Sequence, residues 1–203
     1  MTDTPDLASG GASRAAVLIP GRRYPVEAPL LYFAQEAAEI RDAYIEPIRW
    51  TPPDLDQAAT RAWLAGTGSE AWVCGQVSDA LERVEKNLPG AATVLVGKSL
   101  GTRAAVVAAD RGLPAIWFTP LLTAAGTLAA LRRCTAPFLL VGGTADEAWD
   151  GAVARELTPH VVELPDADHG LLLPGPLAAS VAAHAVVATA VERFLDTVAW
   201  SDS

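Results

Sequence analysis

Short apolar runs alternate along this chain with longer stretches whose apolar residues recur every three to four positions. Runs rich in Val, Leu, Ile and aromatic residues occupy 15–21 (AAVLIPG), 43–50 (AYIEPIRW), 92–97 (ATVLVG), 114–119 (PAIWFT), 137–143 (PFLLVGG) and 160–165 (HVVELP), and predict about six strands. Helical spacing is found in 29–42, 54–65, 69–88, 99–110, 121–133 and the stretch from Pro176 onward. Such alternation predicts an α/β protein: a mostly parallel sheet with crossover helices on both faces, in three layers. Ligands of such sheets bind where strands run into helices, so chemistry is expected on those loops. Pro29 suits the first turn of the first helix, and Ser69 is the expected cap of the segment that follows it.

Composition narrows the picture. At 203 residues one domain is expected over 15–203, with a flexible polar lead-in over 1–14. With 51% hydrophobic and 19% charged residues, the chain can bury a core and is not disordered. A net charge of −9 without a compensating basic run disfavours nucleic-acid partners. The lead-in lacks a basic segment followed by an apolar one, so it reads as no signal peptide and a cytoplasmic location is expected. The apolar stretch 177–191, mostly Ala and Val around His184, reads as a buried helix, and no membrane span is expected. Cys74 and Cys134 form no CxxC, and no His stands at metal-ligand spacing, so neither metal nor cofactor is expected and both thiols read as ordinary buried ones.

The segment TVLVGKSLGTRAA runs from a strand into GxSxG, Gly97 to Gly101, and then into an Ala-rich helix. Alone, the motif equally describes a serine N-cap after a glycine turn. Between a strand and a helix it reads as a nucleophile elbow, in which small glycines let a sharp turn lift the Ser99 hydroxyl above the sheet. A phosphate-binding GxxxxGK[ST] loop ending at Lys98-Ser99 would need glycine at 92, which is Ala92. A serine hydroxyl needs a base and a group to orient that base. FLLVGG ends in Thr144-Ala145-Asp146, and VVELP is followed by DADHG with His169, so an acid and a histidine stand on the next two loops. Glu147 and Asp150 are rivals for the acid. His160 opens a strand and His184 lies within a helix, where a satisfied core role is expected, so His169 is the preferred base. Asp166 and Asp168 read as turn caps.

Acyl transfer also requires backbone donors for the oxyanion. Leu100 N–H, just after the nucleophile, is one candidate, and Arg22 or Arg23, after the turn at Gly21, supplies the other. The two arginines also read as an anchor for an acidic substrate group or as solvated side chains, the latter being the default.

With Pro20-Gly21 and the downstream PLLYFA, GKSLGTR, GGTAD and DADHGL in this order, the chain resembles the α/β-hydrolase superfamily from Ala15 to Trp200. Within it the sequence is similar to the small lidless branch of dienelactone-hydrolase-like and testis-expressed-protein-30-like hydrolases. The resemblance implies a catalytic Ser99, Asp146 and His169, and hydrolysis of an ester, thioester, lactone or peptide bond through an acyl-enzyme. The chain departs from the family pattern at Pro20, where a histidine is usual, at Thr102, where a second glycine is common, and in using serine where dienelactone hydrolases use cysteine.

Only a short helix separates WFTP from the next strand, so no cap domain is expected and the site should be open and shallow. Tyr24, Thr119, Leu121 and Leu122 are its expected walls, with Trp117 and Trp149 as further candidates, and a small acyl or aromatic substrate suits an apolar wall. Two other functions share the pattern: a cyclase, lyase or acyltransferase with the same triad, and a non-catalytic binding protein on the same scaffold. Oligomeric state is left open.

Overall fold

The computed structural model of the protein describes residues 13–201, so residues 1–12 of the expected lead-in lie outside the described residues. Strand β1 (Arg14–Ile19) begins one residue inside that expected lead-in. It is followed by α1 (Pro29–Glu39), β2 (Tyr44–Pro47), α2 (Gln57–Ala65), α3 (Thr67–Asn87) and β3 (Ala92–Lys98). A 3-10 turn over Ser99–Ala104 then leads into α4 (Ala105–Arg111), β4 (Ala115–Phe118), α5 (Ala125–Arg133) and β5 (Phe138–Gly143). The chain closes with α6 (Gly151–Leu157), β6 (Val161–Leu164) and α7 (Leu177–Phe194), which runs into a wider π turn over Leu195–Ala199.

The six described strands are all parallel, in the order β2-β1-β3-β4-β5-β6. The chain moves outward from β1 to β2 and then returns past β1 to begin β3. Loops leaving β1 and β3 therefore diverge, opening a crevice at their carboxyl ends. Alternation along the strands divides the core in two. Val17, Ile19, Leu95, Trp117 and Leu140 face one helix layer with Val77 and Leu81 of α3 and Ala105 of α4. Leu18, Val96, Phe118 and Val141 face the other, with Leu31 of α1 and Val187 and Phe194 of α7.

Four sequence expectations shift. Ser69 caps nothing: α3 starts at Thr67, and Ser69 is buried inside its first turn. The capped helix is α2, where Asp56 accepts the Ala59 N–H at 2.8 Å, and Gly66, in extended backbone, both ends α2 and starts α3. The helix expected from 121 starts at Ala125, because Leu122 is drawn into the core and the chain before it is a turn. Helix α6, too short for a periodic signal, is capped by Asp150, whose Oδ1 accepts from Ala152 and Val153 N–H. Finally, α7 is not buried all round. Ser180, Ala183, Val187, Val191 and Phe194 form its buried stripe, while Leu177, Val181 and Val186 are exposed. Leu177–Ala199 is long and apolar enough to cross a membrane by length and composition, but it lies along the sheet as one of its covering helices.

Candidate active site

Ser99 stands at the first residue after β3, with φ of +53°, in the left-handed region that a side chain enters at a cost of about 1–3 kcal/mol. Two close approaches hold it there. A Cβ on Gly97 would lie 2.6 Å from the Trp117 ring, and one on Gly101 would lie 2.6 Å from the Ile19 carbonyl oxygen of β1. Both flanking positions must therefore be glycine for the turn to seat between the neighbouring strands. Thr102, where the resembled family commonly has glycine, is buried and useful: its hydroxyl donates to the Ser99 carbonyl at 2.7 Å and accepts the Leu121 N–H at 3.2 Å.

The acid and the histidine arrive on two loops bonded to each other. Thr144 N–H donates to the Leu164 carbonyl at 3.0 Å, Ala145 N–H to the Ala167 carbonyl at 3.0 Å, and Asp166 N–H to the Thr144 hydroxyl at 2.8 Å. Asp168 folds the next turn by accepting Gly170 and Leu172 N–H on Oδ1, in the capping role expected of it. His169 Nδ1 then lies 2.8 Å from Asp146 Oδ2, and His169 Nε2 lies 2.8 Å from Ser99 Oγ. An ionised carboxylate only accepts, so the neutral imidazole carries its proton on Nδ1 and leaves Nε2 to accept the serine proton. Of the rival acids, Asp150 is committed to capping α6, and the carboxylate against His169 is that of Asp146. Burial pushes the Asp146 carboxyl up, but hydrogen bonds from His169 and Ala148 N–H and the charges of His169 and Lys98 outweigh it and hold the group below its ordinary value.

Lys98, between Gly97 and Ser99, is only 4% exposed. Burial drives its ammonium down to about 8 against the opposing pull of Asp146 and Asp168, and its Nζ lies 5.0 Å from the centre of the Tyr24 ring. The Leu100 N–H belongs to the opening turn after β3, where helical N–H groups have no partner within the helix. In the β1 exit loop, Gly21 N–H donates to the Tyr24 carbonyl at 2.9 Å, and among the described residues no acceptor takes the Arg22 or Arg23 N–H.

Two cavities meet at Ser99. One, of about 340 Å³, is lined by Gly21, Arg22, Arg23, Tyr24, Lys98 and His169 as well as Ser99. The other, of about 540 Å³, lies away from His169; Leu100, Arg103 and Leu121 line it, and so do Arg22 and Arg61. The site is thus more basic than the expected apolar mouth. Tyr24 and Leu121 do line it. Thr119 and Leu122 do not: both are buried, Thr119 at φ +42° with its N–H on the Val141 carbonyl, and Leu122 in the core. Trp117 is likewise core, and Trp149 lies against Gly142 with its indole N–H on Glu163 at 2.8 Å. His160 packs edge-on against Phe194 at the opposite end of the sheet. His184 is not the satisfied core residue expected, since its Nε2 is buried without a partner beside Phe33. Burial pushes both thiols, Cys74 and Cys134, up to about 11.

By sequence, no family model and no curated protein matches the chain. Solved structures do. An α/β serine hydrolase homologue from Coxiella burnetii is similar over 89% of this chain and 86% of its own, at 14% identity and a TM-score of 0.63. A lidless α/β serine hydrolase from Xanthomonas campestris covers 97% and 88% at 16% identity and a TM-score of 0.60. The chain has the lidless α/β-hydrolase fold. A dienelactone hydrolase from Anabaena variabilis shares that fold over 92% of this chain and 87% of its own, at 19% identity and a TM-score of 0.59. On this hydrolase scaffold, sequence reasoning missed Lys98, Thr102, Arg61 and Arg103. Arg103 lies one helical turn past Ser99, a spacing that could have drawn attention to it; Arg61, on α2, carried no such signal.

Proposed function

We propose that the protein is a serine hydrolase acting on a small carboxylic ester, thioester or lactone through an acyl-enzyme on Ser99. The observation that carries this reading is the unbroken relay of two 2.8 Å contacts from Ser99 through His169 to Asp146, with Ser99 in left-handed backbone. His169 Nε2 takes the Ser99 proton as Oγ adds to the substrate carbonyl carbon. Asp146 stays ionised and stabilises the imidazolium formed. The oxygen of the tetrahedral adduct is held by the Leu100 N–H and by the N–H of Arg22 or Arg23. Arg22 is favoured of the two because it lines both cavities that meet at Ser99. Collapse of the adduct breaks the bond to the leaving group, which takes the proton from His169. Water, deprotonated by His169, then adds to the acyl carbon; collapse of that second adduct breaks the bond to Ser99 Oγ, which takes the proton back from His169, and the free acid leaves.

A fluorophosphonate probe should add one phosphonyl group per chain, read by intact mass, and Ser99→Ala should abolish the addition. Labelling that persists in Ser99→Ala would sink the assignment. Product analysis separates hydrolysis from transfer, lysis or cyclisation, because only hydrolysis yields the free acid in proportion to substrate consumed.

A further inference from the structure

The leaving group of an acyl-transfer reaction must lie within reach of the imidazole that protonates it, so it belongs in the cavity that His169 lines. The acyl chain then extends into the other cavity, which contains Ser99 and Leu100 but not His169. This second cavity is cationic on a chain of net charge −9: Arg22, Arg61 and Arg103 line it, and no acidic side chain does. The three come from separate elements, the β1 exit loop, α2 and the turn after Ser99.

Arg103 forms the back of the cavity. Its side chain is 5% exposed, one guanidinium nitrogen donates to the Leu64 carbonyl, another lies 3.7 Å from Glu70, and its buried Nε has no partner. Glu70 is the carboxylate facing this group, and it balances one of the three charges. Among the described residues Arg22 reaches only the Thr60 hydroxyl, at 3.5 Å, and Arg61 has no ion pair. Ala124, Ala125 and Gly126 at the start of α5 also line the cavity, and the Glu70 carboxylate that faces Arg103 lies against Gly126 as well, so this helix start already has its anion. Two guanidinium groups, Arg22 and Arg61, with no ion pair among the described residues, thus line one space beside the nucleophile, backed by the buried Arg103, an arrangement that fits a carboxylate.

We infer that the preferred acyl group carries a second carboxylate at its far end, bound in this cavity by Arg22 and Arg61, so that the substrate is a half-ester or half-thioester of a dicarboxylic acid. The inference rests on the hydrolase reading for the direction of the acyl chain. Its test compares p-nitrophenyl hemiglutarate with p-nitrophenyl valerate, which match in chain length and differ in the terminal carboxylate. Charge-assisted hydrogen bonds of this kind predict a kcat/KM advantage for hemiglutarate on the order of tenfold to a hundredfold, shrinking as salt is added. In Arg61→Gln the advantage should collapse through a raised KM for hemiglutarate, with valerate turnover unchanged, and Arg61→Lys should restore part of it. Equal rates on the two esters, or a ratio that Arg61→Gln leaves intact, would overturn the inference while the hydrolase reading stands. If neither ester is cleaved, calorimetry with glutarate on Ser99→Ala decides the cavity by itself, while the labelling test decides the hydrolase reading. Binding that disappears when Arg61→Gln is added supports the anion site, and absence of binding refutes it.

Discussion

Replacing Lys98 with methionine should make the protein more stable at neutral pH, an unusual result for a substitution beside Ser99 in the candidate site. The lysine is 4% exposed, and burial holds its ammonium at about 8 in place of 10.5. That gap corresponds to about 3 kcal/mol of unfavourable burial of the charged form. Between about 8 and 10.5 the unfolded chain keeps a proton that the folded protein has released, so stability rises with pH across this window. Below about 8 the cost is present in full. Methionine keeps a similar stem and removes the charge, but it loses the contact of Nζ with the Tyr24 ring, worth about 0.5–2 kcal/mol. Urea denaturation should therefore find Lys98→Met more stable by about 1–3 kcal/mol near pH 7. The difference should shrink by about 2 kcal/mol by about pH 9.5, other titrating groups cancelling between the two proteins. A variant less stable than the parent at neutral pH, or a difference that does not change with pH, would refute the reasoning.

Other substitutions test the frame around Ser99. Thr102→Val keeps the shape but strips the Ser99 carbonyl of its donor and the Leu121 N–H of its acceptor. It should cost about 1–3 kcal/mol in thermal denaturation and lower kcat more than it raises KM. Gly101→Ala drives a methyl group to 2.6 Å from the Ile19 carbonyl and 2.8 Å from that of Pro20, backbone atoms that cannot rotate aside; a loss of about 3 kcal/mol or more, or no soluble protein, is expected on expression and melting. Asp146→Asn should leave the fold in place by circular dichroism and reduce kcat by about ten-thousand-fold, because an amide, which can donate as well as accept, no longer fixes the proton on Nδ1 and no longer offsets the imidazolium charge. Because folding holds the Asp146 carboxyl below 3.8, its contribution to stability is present above that value and is lost as pH falls through the lower folded value, so Asp146→Asn should flatten part of the acid limb of the stability profile.

The parts of the site that were legible in the sequence are those carried by strand ends. Ser99, Asp146 and His169 each follow a strand whose apolar run is plain, and parallel strands bring their carboxyl ends to one edge whatever the helices do. Asp150 and Glu147 could not be separated from Asp146 by position alone, because cap and acid differ only in where the seven-residue α6 begins. Thr119 and Leu122 misled for a related reason: they follow β4 as a site wall should, but a left-handed backbone at Thr119 turns the chain back into the core. The arginine cavity was the least legible. Arg61 reaches it only because Gly66 breaks one long helical stretch into α2 and α3, and residue spacing carries no record of the angle between two helices.

The link between β4 and α5 acts as a strut. At one peptide, Leu121 N–H is tied to Thr102 in the turn after β3; at the next, Leu122 N–H reaches the Ala148 carbonyl, two residues past Asp146, at 3.1 Å. Consecutive amides thus gauge the separation of serine and acid, and the span between them cannot be lengthened without severing one tie. A segment grafted between Leu121 and Leu122 would uncouple the two halves of the relay. One grafted after Thr123 would keep both ties and arch over the arginine cavity, converting an open mouth into a roofed one without disturbing the chemistry beneath.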